Sequence, residues 1–217
     1  MKVRRWAAVR LSQGEQGEFG SVAAEDAIPS GIRRRMGRLE RLAVRCTMGV
    51  LGDGTTDEIV FCSRYGNVET LSALLRGIAE NQITSPMAFS GSVHNAAPGL
   101  VGQIRKERLS HTAIAAGPHT LTAGLVECYA RLTSDGCSNV VLAMADLPLP
   151  DHFRAFEDEV LPGLALALQL ELAPGGSTEP VVEIHSGRAG ALALLDSLQA
   201  GLFNLTLEGA PWPGLMH

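Results

Sequence analysis

The spacing of apolar and polar positions along the chain predicts strands and helices in alternation. Val3 to Leu11 alternates with a period near two and predicts a first strand, after which Ser12 to Pro29, rich in Gly, Ser and acids, predicts a long loop. From Ile32 to Cys46 the apolar residues Ile32, Met36, Leu39, Ala43 and Cys46 fall at helical spacing, with Pro29 and Ser30 at the start and Gly49 past the end. Glu58 to Ser63 (EIVFCS) is a short β-prone run, and Val68 to Ala79 (VETLSALLRGIA) is helical in pattern.

The stretch Ser85 to Lys106 is broken by Pro86, Gly91, Pro98 and Gly99, with room for a short helix over Ala97 to Ile104. Thr112 to Ala116 predicts a short strand, Gly117 and Pro118 a junction, and Thr120 to Leu132 (TLTAGLVECYARL) a buried helix with almost no charge. Asn139 to Ala145 (NVVLAMA) is a continuous apolar run of the kind found inside a sheet covered on both faces, ending at Asp146. Gly163 to Leu172 predicts the last strand, Pro174 to Pro180 a turn cluster, Arg188 to Gln199 a helix, and the residues from Gly201 a weakly ordered tail. This order predicts an α/β fold with one five-stranded, mixed and mainly parallel sheet carrying helices on both faces.

Composition narrows the class. With 217 residues, 46% of them hydrophobic, the chain supports one well-cored domain, read as residues 1–217. A net charge of -5 and 5% aromatic residues offer neither attraction to phosphates nor a stacking platform, so nucleic acid is not an expected partner. The basic, partly apolar start lacks the apolar core and cleavage site of a signal peptide, and no segment reaches the ~20 apolar residues of a membrane span. The expectation is a cytoplasmic protein. Its cysteines, Cys46, Cys62, Cys128 and Cys137, form no CxxC pair and lie in or beside apolar runs, where a thiol packs as a small hydrophobe.

Candidate chemistry is sparse. His94, His111 and His119 have no metal-ligand spacing, so no metal is expected, and no Walker-type Gly-Lys-Ser or G-x-S-x-G elbow is present. No cofactor is expected either. Arg34, Arg38, Arg41 and Arg45 fall at helical offsets and predict one basic stripe, read first as a solvated helix face and second as a dock for an acidic partner.

The stretch from Ser85 to Asp146, with the phrase FSGSVHNAAPG, resembles the heart of the thiolase-like condensing enzymes, specifically the β-ketoacyl synthase N-terminal domain. It is similar in particular to the chain-length-factor-like members that accompany aryl polyene and xanthomonadin-type pigment systems. The resemblance implies a thiolase-like half and places Pro118, between Gly117 and His119, where the enzymes carry their cysteine nucleophile. It also implies a second α/β half supplying two catalytic histidines. This chain stops about where that half would begin, and His185 and His217 lack the Gly-rich context of those motifs.

The implied function is a non-catalytic ketosynthase-like subunit of a type II fatty-acid or polyketide-like system. The implied partner is a ketosynthase, or a second copy, bound as a dimer through Ser85 to Leu132. Two alternatives stay open: a small acyl-processing enzyme using His94 or His119 near Asp146, and an acyl-chain or acyl-carrier-protein binding module using Arg34, Arg38, Arg41 and Arg45.

Overall fold

The computed structural model describes residues 1–12, 15–133, 137–157, 162–173, 181–183 and 187–206. The order is β1 (Lys2–Ser12), β2 (Glu15–Gly20), α1 (Ser30–Arg33), α2 (Arg38–Leu51), β3 (Glu58–Cys62), α3 (Val68–Ala79), α4 (Pro86–Ser92), α5 (Ala96–Arg105), β4 (Ser110–Ile114), α6 (Thr120–Thr133), β5 (Val140–Asp146), β6 (Leu164–Glu171), β7 (Val181–Glu183), α7 (Gly187–Gln199) and β8 (Asn204–Thr206). The strands form one sheet in the order β4-β3-β5-β6-β1-β8-β7, with β2 paired to β1.

Strand β5 suits an inner place because six of its seven residues are apolar and all seven are buried, Asp146 with its carboxylate hydrogen-bonded. Alternate residues serve opposite faces, as the pleat requires. Val141, Ala143 and Ala145 face α2, while Val140, Leu142 and Met144 face α6 and α7. On the α2 side the small Ala143, Ala145, Ala165 and Ala167 let that helix lie close to the sheet. Its Gly49 crosses the chain at Ser21, where an added Cβ would lie 1.5 Å from the Ser21 carbonyl oxygen.

Several expectations are corrected. The sheet has eight strands among the described residues, not five, and it is mixed without being mainly parallel. Parallel pairs join β4, β3 and β5, and β7 with β8, whereas β6, β1 and β2 run antiparallel to their neighbours. The run from β5 to β6 carries no α-helix among its described residues, and β6 returns antiparallel. The expected loop Ser12 to Pro29 contains β2, a polar, exposed edge strand whose sequence EQGEFG has no buried face to betray it.

The expected helix Ile32 to Cys46 is split. Gly37 is extended (φ -67, ψ 176) and serves as the N-cap of α2, so Arg34 lies outside that helix. Strand β6 is followed by β7 and β8, and residues 204–206 of the expected loose tail pair with β1 and β7. The Pro174 to Pro180 turn cluster, His185 and the tail from residue 207 lie outside the described residues.

Helix α6 packs on β3 and β5 through Leu121, Leu125, Cys128 and Leu132, and its Gly124 admits Cys62, whose Sγ would lie 2.2 Å from an added Cβ. Helix α7 lies beside it and contributes Leu194, Leu195 and Leu198 to the same cluster. The water-facing side of α6 is therefore reduced to residues such as Val126 and Tyr129. Leu125, fully buried, belongs to the core and not to any association surface.

Candidate functional site

In a sheet with parallel strands, sites form where the strands' carboxyl ends meet the following loops. Here that edge is built by the ends of β4, β3 and β5. After β4 the chain turns at Gly117, whose φ of +56 is left-handed and suits glycine, through a 3₁₀ turn over Gly117–His119 and directly into α6. Thr120 braces this turn: its Oγ1 accepts from Ala116 N at 3.0 Å and donates to Gly117 O at 2.8 Å. Pro118 and His119 are exposed at its tip. Proline suits the first helical position, where no backbone donor is needed, but it brings no nucleophile.

Three of the four thiols are buried and Cys137 is half-buried. Cys62 closes β3 and is fully buried, and burial pushes both it and Cys128 well above the ordinary thiol range. Burial likewise pushes Cys46 up to about 12. A buried thiol of this kind supplies almost no thiolate near neutral pH.

At the ends of β3 and β5 the fold brings two of the candidate residues to one turn. Asp146 is 1% exposed. Its Oδ1 accepts from Ser63 Oγ at 3.0 Å and from Arg64 N at 2.9 Å, and Ser63 Oγ in turn accepts from Gly66 N at 2.9 Å. The His94 ring lies edge-on to Phe61 and its Nε2 meets Ser63 O at 2.8 Å. A carbonyl oxygen only accepts, so Nε2 carries the proton there and cannot act as a base while that bond holds. His94 and Asp146 thus fix the Ser63 to Gly66 turn. Ser63, one residue beyond β3, carries no sequence signal of its own: its place beside Asp146 follows from the parallel pairing of β3 with β5.

The four arginines do not form one stripe. Arg34 and Arg38 are exposed, while Arg45 is 5% exposed and donates to Ala23 O at 2.8 Å and to Glu18 at 2.8 and 2.9 Å. It clamps β2 and its loop onto α2, and its bond holds the Glu18 carboxyl below the usual range. Arg41 is half-buried, with its Nε buried and without a hydrogen bond. Among the described residues no group of three His, Cys, Asp or Glu side chains is placed to hold a metal.

Two further polar clusters escaped the sequence patterns. Ser72 Oγ meets His152 Nε2 at 2.6 Å, tying α3 to the 3₁₀ turn Asp151–Phe156. Glu40, at the third position of α2 and 2% exposed, accepts from Asn67 Nδ2 at 2.6 Å, and that amide also donates to Gly91 O at 3.3 Å. Burial raises the Glu40 carboxyl above the usual carboxylate range, against the opposing pull of Asn67 and the nearby backbone N–H groups. The folded protein therefore favours the protonated form more than the unfolded chain does. Relative to Glu40→Gln, wild type is expected to be most stable below pH 4.5 and to lose that advantage as pH rises through the folded value. Urea unfolding of both proteins across the acid and neutral range checks this; a difference independent of pH contradicts it.

The strand order and the turn into α6 define one half of a thiolase-like condensing fold. The model of the β-ketoacyl synthase N-terminal domain matches residues 4–197, and the chain belongs to that family. Among solved structures it is similar to the ketosynthase ApeO in complex with its chain length factor ApeC from Xenorhabdus doucetiae, at TM-score 0.67 and 24% identity over 81% of each chain. The ishigamide ketosynthase/chain length factor gives TM-score 0.60 and 20% identity over 82% of this chain and 64% of that one. A β-ketoacyl synthase from Burkholderia phymatum gives TM-score 0.59 and 14% identity over 79% and 60%. The chain thus spans less than two thirds of the latter two proteins. No curated protein matches it. No described helix is long and apolar enough to cross a membrane.

Proposed function

We propose that this chain is a non-catalytic, chain-length-factor-like subunit that pairs with a catalytic ketosynthase in a type II fatty-acid or polyketide-like system, with aryl polyenes as the product class its sequence resembles. The observation that carries the reading is the turn after β4: Pro118 stands at its tip, and the strand thiol Cys62 is sealed behind α6. The scaffold is kept and the nucleophile is not.

Partnering is supported by the edge of the sheet. β4 is the outermost strand, so its outer backbone groups have no pairing strand among the described residues, a ready template for a strand of another subunit. Exposed apolar residues on α4, Met87 and Phe89, add surface whose burial favours association. The ApeO complex and the ishigamide protein are both ketosynthases described with chain length factors. Docking of an acidic carrier protein on such a complex would fall to the exposed Arg34 and Arg38, since Arg45 is already engaged.

Intact-mass measurement after incubation with acyl-carrier thioesters tests the absence of catalysis. No acyl adduct is expected on the isolated chain, and Pro118→Cys is expected not to restore condensation, because a thiol alone does not supply the general acid and base such chemistry also uses. A stoichiometric adduct on Cys62 or Cys128 would falsify the reading.

A further inference from the structure

Helices α3 and α4 carry their apolar residues outward. α3 buries only Ser72 and α4 buries no residue, while Leu71, Leu75 and Ile78 on α3 and Met87 and Phe89 on α4 are between 43% and 61% exposed. α3 packs on α4 and α4 on α5, and neither makes an extended contact with the sheet. A cleft of about 470 Å³ runs between this hairpin and the start of α2, with Gly37 and Arg38 on one wall and Ala73, Gly77 and Ala88 on the other.

What joins the hairpin to the body is polar. Asn67, the N-cap of α3, donates through Nδ2 to Glu40 Oε1 of α2 at 2.6 Å and to Gly91 O at 3.3 Å, so both ends of the hairpin meet at one amide. Farther out, Ser72 Oγ meets His152 Nε2 at 2.6 Å. The chain on either side is fixed: His94 Nε2 donates to Ser63 O at 2.8 Å, and Asp146 Oδ1 accepts from Arg64 N at 2.9 Å. Between that fixed turn and Asn67 stands Gly66, whose φ of +66 suits glycine, and beyond α4 the chain is extended at Val93.

We infer that α3 and α4 form a hinged arm, which swings off α2 as one unit about Gly66 and Val93 while the sheet, α2 and α6 stay folded. The bond between Ser72 and His152 is its latch. Segments with few buried apolar contacts open locally, well below the free energy of global unfolding, and this hairpin is held by a handful of hydrogen bonds where α2 and α6 are held by apolar clusters. The inference does not rest on the subunit reading above.

Native-state hydrogen exchange of the full chain, followed by amide NMR in urea below the unfolding transition, tests it. Amides of α3 and α4 are expected to share one opening constant and to exchange at least about 100-fold faster than those of α2, β5 and α6. Their exchange is also expected to depend less on urea, since the opening exposes only part of the buried surface. Ser72→Ala is expected to speed exchange about fivefold across both helices, the equivalent of one hydrogen bond. Should Ser72→Ala fold poorly, His152→Ala cuts the same bond from an exposed side chain and is expected to give the same factor. Protection of α3 and α4 equal to that of α2 and β5 overturns the inference, because only global unfolding then exposes them. So does fraying of α3 from its Ala79 end with α4 unaffected, or an effect of Ser72→Ala confined to α3.

Discussion

Gly49→Ala is expected to cost at least about 3 kcal/mol, at the upper end of overpacking effects and a large share of the ~5–15 kcal/mol that holds a domain together. The reason is that both obstacles are backbone: the new Cβ would stand 1.5 Å from Ser21 O and 2.7 Å from Ala23 N. Relief requires lifting the chain after β2 off α2, which also pulls on the bond from Arg45 Nε to Ala23 O. Gly31→Ala is the control, because an added Cβ there meets nothing within 4 Å, and its stability is expected to match or exceed wild type. Denaturant midpoints of the two variants check the contrast; equal midpoints contradict the close crossing.

The second large effect is expected at Asp146. Asp146→Ala removes an acceptor that takes bonds from Ser63 Oγ and Arg64 N inside the protein, leaving donors without partners. Bonds to a charged group are worth about 1.5–3 kcal/mol each, so a loss of about 3–5 kcal/mol is expected. Asp146→Asn keeps an oxygen that can accept both bonds and is expected to cost about 1–2 kcal/mol, the charge assistance alone. Thermal unfolding of the pair separates these values. A small effect of the alanine variant would show that the Ser63 to Gly66 turn stands without Asp146.

The sequence made much of this legible where apolar period and burial coincide. The apolar run of NVVLAMA reads as an inner strand because a strand covered on both faces has no polar side to show, and from Val140 onward it is buried throughout. VETLSALLRGIA and TLTAGLVECYARL are helices within a residue of their predicted limits. What escaped was structure carried by polar residues. β2 is a polar edge ribbon, and the split of the first helix turns on Gly37, whose added Cβ would collide with Glu40 and Asn67. Both depend on contacts between distant segments, which periodicity does not record.

The candidate site was legible in part for the same reason. Pro118 follows from local order, since strand, turn and buried helix are consecutive. The convergence of His94 and Asp146 on Ser63 required the pairing of β3 with β5, and the disengagement of Arg45 from the basic stripe required β2. Helical spacing put Arg34 to Arg45 on one face, yet Glu18 claimed one end of that face and Gly37 broke off the other.

The proposed role, a ketosynthase-like subunit without a nucleophile of its own, is open to direct measurement. Co-expression with a ketosynthase of the same biosynthetic system, followed by native mass measurement of the purified material, tests it most directly. A one-to-one complex of the two chains is expected, with acyl groups carried on the ketosynthase and none on this chain. A chain that purifies alone and carries the acyl group itself would contradict it.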